Sequence, residues 1–161
     1  MKKTLLIFAL SICAGSFAQS YNNAIGIRGG ETSGITWKHS VGGSNAFEAI
    51  FGAWGYGFTV TGLYEKSQSA FDAAGLSWYY GAGAHIAIES GRYGWYEGKR
   101  SKKYYYAGGT GVGIDGILGL EYEIPGVPIA LSFDLKPFIE FNTRGRAWTS
   151  IDPGLGIKVT F

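Results

Sequence analysis

The chain has one cysteine, Cys13, in 161 residues. That count excludes an internal disulfide and any thiolate zinc site, which needs two to four sulfur ligands. Its two histidines, His39 and His85, fall in different predicted strands and cannot form a metal site by themselves. Charged residues make up only 16% of the chain, against roughly 25% in ordinary soluble domains. No stretch after Ala18 holds 18 apolar residues in a row, so a membrane-spanning helix is excluded. The nucleophile elbow GxSxG, the zinc pair HExxH and a phosphate-cradling glycine loop are also missing; GTGVG at Gly109 to Gly113 is too short to count. No cofactor is implied.

Glycine and aromatics are abundant: 27 glycines, 5 tryptophans, 11 tyrosines and 10 phenylalanines. So much apolar surface rules out disorder as the dominant state. Residues 1–18 combine Lys2 and Lys3 with an apolar run from Leu5 to Ala14 and a small-x-small site at Ser16, Phe17 and Ala18, the composition of a removable secretory signal used by the Sec route. Ile12 stands before Cys13 where a lipid-attachment motif needs Gly, Ala or Ser. With Lys2 and Lys3 removed, basic and acidic residues balance over 19–161, the single remaining domain. Net charge therefore gives no support for nucleic-acid binding.

Periodicity of two dominates that domain. Leu76, Trp78, Tyr80, Ala82, Ala84, Ile86 and Ile88 alternate with Ser77, Tyr79, Gly81, Gly83, His85, Ala87 and Glu89. Val112, Ile114, Leu118, Leu120 and Tyr122 share one face of the next long segment. Ile129 to Leu135 and Leu155 to Phe161 repeat the alternation. Weaker strands are predicted over Asn23–Gly30, Ile35–Val41, Ala46–Trp54 and Phe58–Glu65. Glycine-rich or polar turns separate all eight, including long connections at Lys66–Gly75 and Ser90–Gly111. The fold class predicted is all-β: a closed, antiparallel, eight-stranded up-and-down transmembrane barrel.

Alternation alone does not tell a soluble barrel from one turned inside out. The polar face decides, because it repeatedly supplies glycine, alanine and serine rather than bulky hydrated groups. Small residues at 81, 83, 113, 119, 154 and 156 suit a crowded lumen, and the apolar face is then free to meet lipid. Charged residues predicted for that lumen are Arg28, Lys38, Glu48, Glu65, Glu89, Glu121, Asp134, Lys136 and Lys158, together with His85, Asp115, Glu123 and Asp152. Mutual pairing across the lumen is their simplest use, since an unpaired buried charge costs several kcal/mol.

The last strand, Leu155, Ile157, Val159 and a final Phe161, resembles the C-terminal insertion signal of outer-membrane barrels. With the leader and the alternation, the whole of 19–161 resembles the small eight-stranded outer-membrane β-barrel proteins, the size class of OmpX and the OmpA membrane domain. The resemblance implies the outer membrane of a Gram-negative bacterium, a side-chain-filled lumen, a monomer, and contact with barrel assembly machinery through Phe161. It also places Ser90–Gly111 outside the cell. Aromatic belts at both interfaces are expected from Trp37, Phe47, Trp54, Tyr64, Trp78, Tyr122 and Phe161.

The long segment Ser90–Gly111 carries Arg92, Lys99, Arg100, Lys102 and Lys103 among Tyr93, Trp95, Tyr96, Tyr104 and Tyr105. Cations bind anionic phosphates and aromatics anchor at an interface, so membrane lipids and lipopolysaccharide head groups are the expected partners, and nucleic acid is not. His85 and Asp115 are predicted to meet on the inward face, where a carboxylate could orient an imidazole as general base. That pair keeps a lipid-modifying enzyme, working by acyl transfer or deacylation, as an alternative to a structural or surface-interaction role. A narrow porin-like conduit is a further one.

Overall fold

The computed structural model describes residues 20–54, 57–89, 92–96, 102–106, 109–143, 145 and 147–161. The predicted leader lies outside them. The strands are β1 (Asn23–Gly30), β2 (Ser33–Gly42), β3 (Asn45–Trp54), β4 (Gly57–Ser69), β5 (Leu76–Glu89), β6 (Arg92–Tyr96), β7 (Lys102–Tyr106), β8 (Gly109–Glu123), β9 (Ile129–Asn142) and β10 (Ala147–Thr160). Eight of them close an antiparallel up-and-down barrel in the order β1-β10-β9-β8-β5-β4-β3-β2, while β6 and β7 pair as a separate hairpin. The barrel predicted from alternation is the one observed.

Closure comes from β1 against β10, running from Ala24 opposite Thr160 to Gly30 opposite Gly154. Asn23 and Phe161 exchange two backbone hydrogen bonds of 2.8 Å at the seam's edge. The end holding this edge is here the near end; the β6–β7 hairpin belongs to the connection at the far end.

Outward side chains are apolar: Ile86, Leu118 and Phe133 are 55%, 52% and 48% exposed. Inward ones are polar, with Lys38 and Glu65 both fully buried. The interior is not uniformly ionic, however. Ile50, Leu63 and Ile117 turn inward beside Tyr79 and form a small apolar cluster.

Several boundaries differ from the sequence expectation. Strand β4 continues to Ser69, so the long turn expected at Lys66–Gly75 contracts to residues 70–75. Serine and glutamine at 67 and 68 weakened the alternation there, although Ser67 is buried inward. The segment Ser90–Gly111 is no plain loop, since it contains β6 and β7 and the start of β8. Strand β9 runs through Pro137 to Asn142, and β10 starts at Ala147 and passes Pro153. Proline lacks a backbone N–H and usually argues against a central strand. The barrel accommodates Pro137 where pairing between β8 and β9 lapses, between the pairs Asp115–Phe138 and Leu118–Leu135.

The aromatic belts also need correction. Trp37, Phe47, Tyr64, Trp78, Tyr122 and Phe161 all lie toward the near end, with Trp78 stacked on Tyr80 at 5.2 Å. Toward the far end the exposed outward aromatics among the described residues are phenylalanines, Phe51, Phe58 and Phe141. Trp54 belongs to neither belt, because its position in β3 turns it into the far mouth.

Interior glycines make room for large neighbours. A Cβ on Gly119 would lie 2.5 Å from Tyr79 Cζ and 2.8 Å from the Phe133 carbonyl oxygen. Overpacking of this kind costs ~1–3 kcal/mol. Gly119→Val is therefore expected to lower the unfolding free energy by about that amount, seen as a lower urea midpoint by tryptophan fluorescence. Gly62→Ala serves as the control, because its Cβ would meet only the Phe47 ring edge at 3.4 Å or beyond.

Candidate functional site

Strand alternation sends every second side chain inward, and register fixes which of them share a level. Two ion clusters result, one above the other.

Toward the near end, Lys38 Nζ lies 3.0 Å from Glu65 Oε2 and 3.5 Å from Glu121 Oε2. Lys158 Nζ lies 3.0 Å from Glu48 Oε1 and 3.3 Å from the same Glu121 oxygen. Thr36 donates its hydroxyl to Glu48. Tyr21, which precedes β1, donates to Glu121 Oε1 at 2.5 Å. Burial, and then the Glu121 carboxylate, raise the Tyr21 phenol above its ordinary range, so it stays a donor.

Toward the far end, Arg28 Nη2 meets Asp134 Oδ1 at 2.6 Å, Arg28 Nη1 meets Asp152 Oδ2 at 3.0 Å, and Nη1 also donates to the Thr32 carbonyl at 2.9 Å. The guanidinium fork thereby ties β1 to β9 and β10. Lys136 Nζ stands 3.5 Å from Asp115 and 3.7 Å from Asp152. Tyr79 joins the two levels: its hydroxyl donates to Asp134 Oδ2 at 3.3 Å, and Lys38 Nζ sits 4.3 Å over its ring.

His85 occupies the top of the far cluster. Its Nδ1 lies 2.8 Å from Asp115 Oδ2 and its Nε2 lies 3.1 Å from Glu140 Oε2. Register explains the triad, because Gly113 is the direct partner of both His85 and Glu140. A Cβ at Gly113 would overlap the imidazole, and one at Gly111 would lie 2.5 Å from Glu140 Oε1. Two glycines on β8 thus let side chains of β5 and β9 meet across it. Both ring nitrogens face carboxylates, and only the doubly protonated ring donates to both. A general base needs one nitrogen free for its substrate; here Glu140 holds that nitrogen.

Above the triad a recess of about 40 Å³ opens at the far mouth. Trp54, Phe138 and Trp148 wall it, and Glu31, His85 and Glu140 present polar groups to it. Phe138 meets His85 and Trp148 edge-on, each at 5.5 Å between ring centroids.

Of the predicted lumen residues, Arg28, Lys38, Glu48, Glu65, Glu121, Asp134, Lys136 and Lys158 are buried inward, as are His85, Asp115 and Asp152. Glu89 is the exception: it ends β5 at the far rim and is exposed. Glu123 is half-buried at the near rim, where Ser20 donates to it. His39 is half-buried on the outer wall, stacked on Trp37 and bonded to Asn23 at 2.9 Å. In the hairpin, Arg92, Tyr93, Trp95 and Tyr96 lie on β6, with Lys102, Lys103, Tyr104 and Tyr105 on β7. The backbone register pairs Tyr93 with Tyr105 and Trp95 with Lys103. Lys99 and Arg100 lie outside the described residues.

Sequence reading missed Glu140, Phe138 and Trp148. The two on β9 were recoverable by continuing the alternation of Asp134 and Lys136 past Pro137.

Comparison of the chain with protein-family models, curated proteins and solved structures finds no match. Fold and site together define a class nonetheless: a closed eight-stranded barrel with an apolar outer wall and an ion-paired interior.

Proposed function

We propose that this chain is an integral outer-membrane barrel with a plugged lumen and a structural or surface-interaction role, its far-end hairpin region touching lipopolysaccharide head groups. The observation that carries the reading is the inverted distribution of polarity. A continuous exposed apolar wall far exceeds what monomeric soluble proteins show. It suits a bilayer, where a closed sheet leaves no unpaired backbone edge. Support for the plug comes from interlocking ion pairs at two levels and from the apolar cluster around Tyr79. Support for the head-group contact comes from composition: Arg92, Lys102 and Lys103 share β6 and β7 with Tyr93, Tyr96, Tyr104, Tyr105 and Tyr106.

Membrane fractionation with heat-modifiable gel mobility tests the location. A chain recovered in the soluble fraction would overturn it. Planar-bilayer recording tests the plug, and the expected trace is silent. For the head-group contact, changing Lys99, Arg100, Lys102 and Lys103 together to Gln is expected to weaken lipopolysaccharide binding at least tenfold at 0.1 M salt, with the wild-type advantage shrinking as salt screens the charges. Equal binding by the two proteins would refute it.

One observation favours the enzyme alternative, namely that His85 and Asp115 stand beside an open recess. That reading expects a lipid A mass change that depends on the chain and disappears in His85→Ala while the barrel stays folded. An unchanged lipid A profile in a deletion strain removes it.

A further inference from the structure

We propose that the recess at the far mouth is a binding site for a small alkylammonium group. Three features converge there.

The first is charge. Among the described residues, Glu31 and Glu140 line the recess and Asp115, Asp134 and Asp152 stand below it, five carboxylates against two permanent cations, Arg28 and Lys136. His85 supplies at most one more positive charge, so among these described groups negative charge is in excess in either of its protonation states. Lys136 borders the recess, but its ammonium is already shared by Asp115 and Asp152 at 3.5 and 3.7 Å.

The second is the wall. Trp54, Phe138 and Trp148 give the recess three aromatic sides. Ring faces attract cations, tryptophan most strongly, whereas they give an anion no comparable attraction. Phe138 is held edge-on between His85 and Trp148, so this wall is ordered before a ligand arrives.

The third is size. The recess, open to the mouth, has room for a methylammonium-sized group. Glu31 and Glu140 beside aromatic sides select charge and an alkyl surface together, which separates an organic ammonium from a bare metal ion.

The test uses the full barrel refolded in detergent at low salt, with indole N–H resonances as reporters. Methylammonium is the probe, with methanol, acetate and sodium at matched concentration as comparators. Saturable shifts of Trp54 and Trp148 with methylammonium alone are expected. Trp37 and Trp78, on the outer wall toward the near end, serve as internal references and should stay still. Glu140→Gln should weaken binding about fivefold or more, and Glu31→Gln, at an exposed position, should weaken it without any risk to folding. Trp148→Leu should do the same. Equal shifts with methanol would show a merely apolar recess, equal shifts with sodium a bare charge effect, and no shift at all an empty mouth; each overturns the proposal. A short-chain phosphoethanolamine lipid run beside methylammonium separates the sources: tighter binding assigns a lipid headgroup, and equal binding a free amine.

Discussion

Replacing Arg28 by methionine is expected to destabilise the folded barrel by ~3–5 kcal/mol, the usual cost of stranding a buried charge after removing its partner. The guanidinium serves Asp134 and Asp152 at once and also caps the Thr32 carbonyl. Without it, two carboxylates on β9 and β10 keep hydrogen bonds from Tyr79 and the Thr32 N–H but have Lys136 as the remaining cation among the described residues nearby. Equilibrium urea unfolding followed by tryptophan fluorescence measures the loss. The triple variant Arg28→Met, Asp134→Asn, Asp152→Asn should recover most of it, because the penalty lies in the orphaned charges rather than in the missing ion pairs. A single variant as stable as the wild type would mean that water reaches these groups freely and that the interior is not closed.

Leu118→Arg on the outer wall separates a bilayer-facing surface from a water-facing one. In lipid vesicles an arginine deep in the apolar band costs ~2–4 kcal/mol, falling to ~0–1 near either interface. Leu118 lies near the middle of β8 and Tyr122 near its end. Stability measured in vesicles should therefore drop strongly for Leu118→Arg and little for Tyr122→Arg. If both changes are neutral, this wall does not sit in hydrocarbon, and the outer-membrane role goes with it.

Most of the barrel was legible because period-two alternation states directly which residues share a wall, and a closed sheet needs little else. Leu76–Glu89 matches β5 at both ends for that reason. What stayed hidden involved local chemistry that tertiary context overrides. The alternation read from Ile129 stops at Leu135, before Pro137, yet β9 crosses that proline at a lapse in pairing and carries Phe138 and Glu140 to the mouth. Ser67 and Gln68 read as turn residues, yet β4 contains both. The proximity of His85 and Asp115 could be argued from the hairpin-like pairing of β5 and β8. The third partner could not, since its approach depends on the empty space over Gly113, visible only once three strands are in register.

The ion pairs have a consequence for assembly order. Neighbouring strands in sequence zip as local hairpins, but the seam joins residues 24 and 160, so the last pairing is also the most distant one. A slip of one residue at that late step would still satisfy the backbone, and yet it would swing Arg28 out of the lumen and Ile27 into it. Arg28 with Asp134 and Asp152, and Lys158 with Glu48 across the same seam, thereby act as a reading frame: a mismatched closure would strand lone charges in the lumen, and the correct one pairs them.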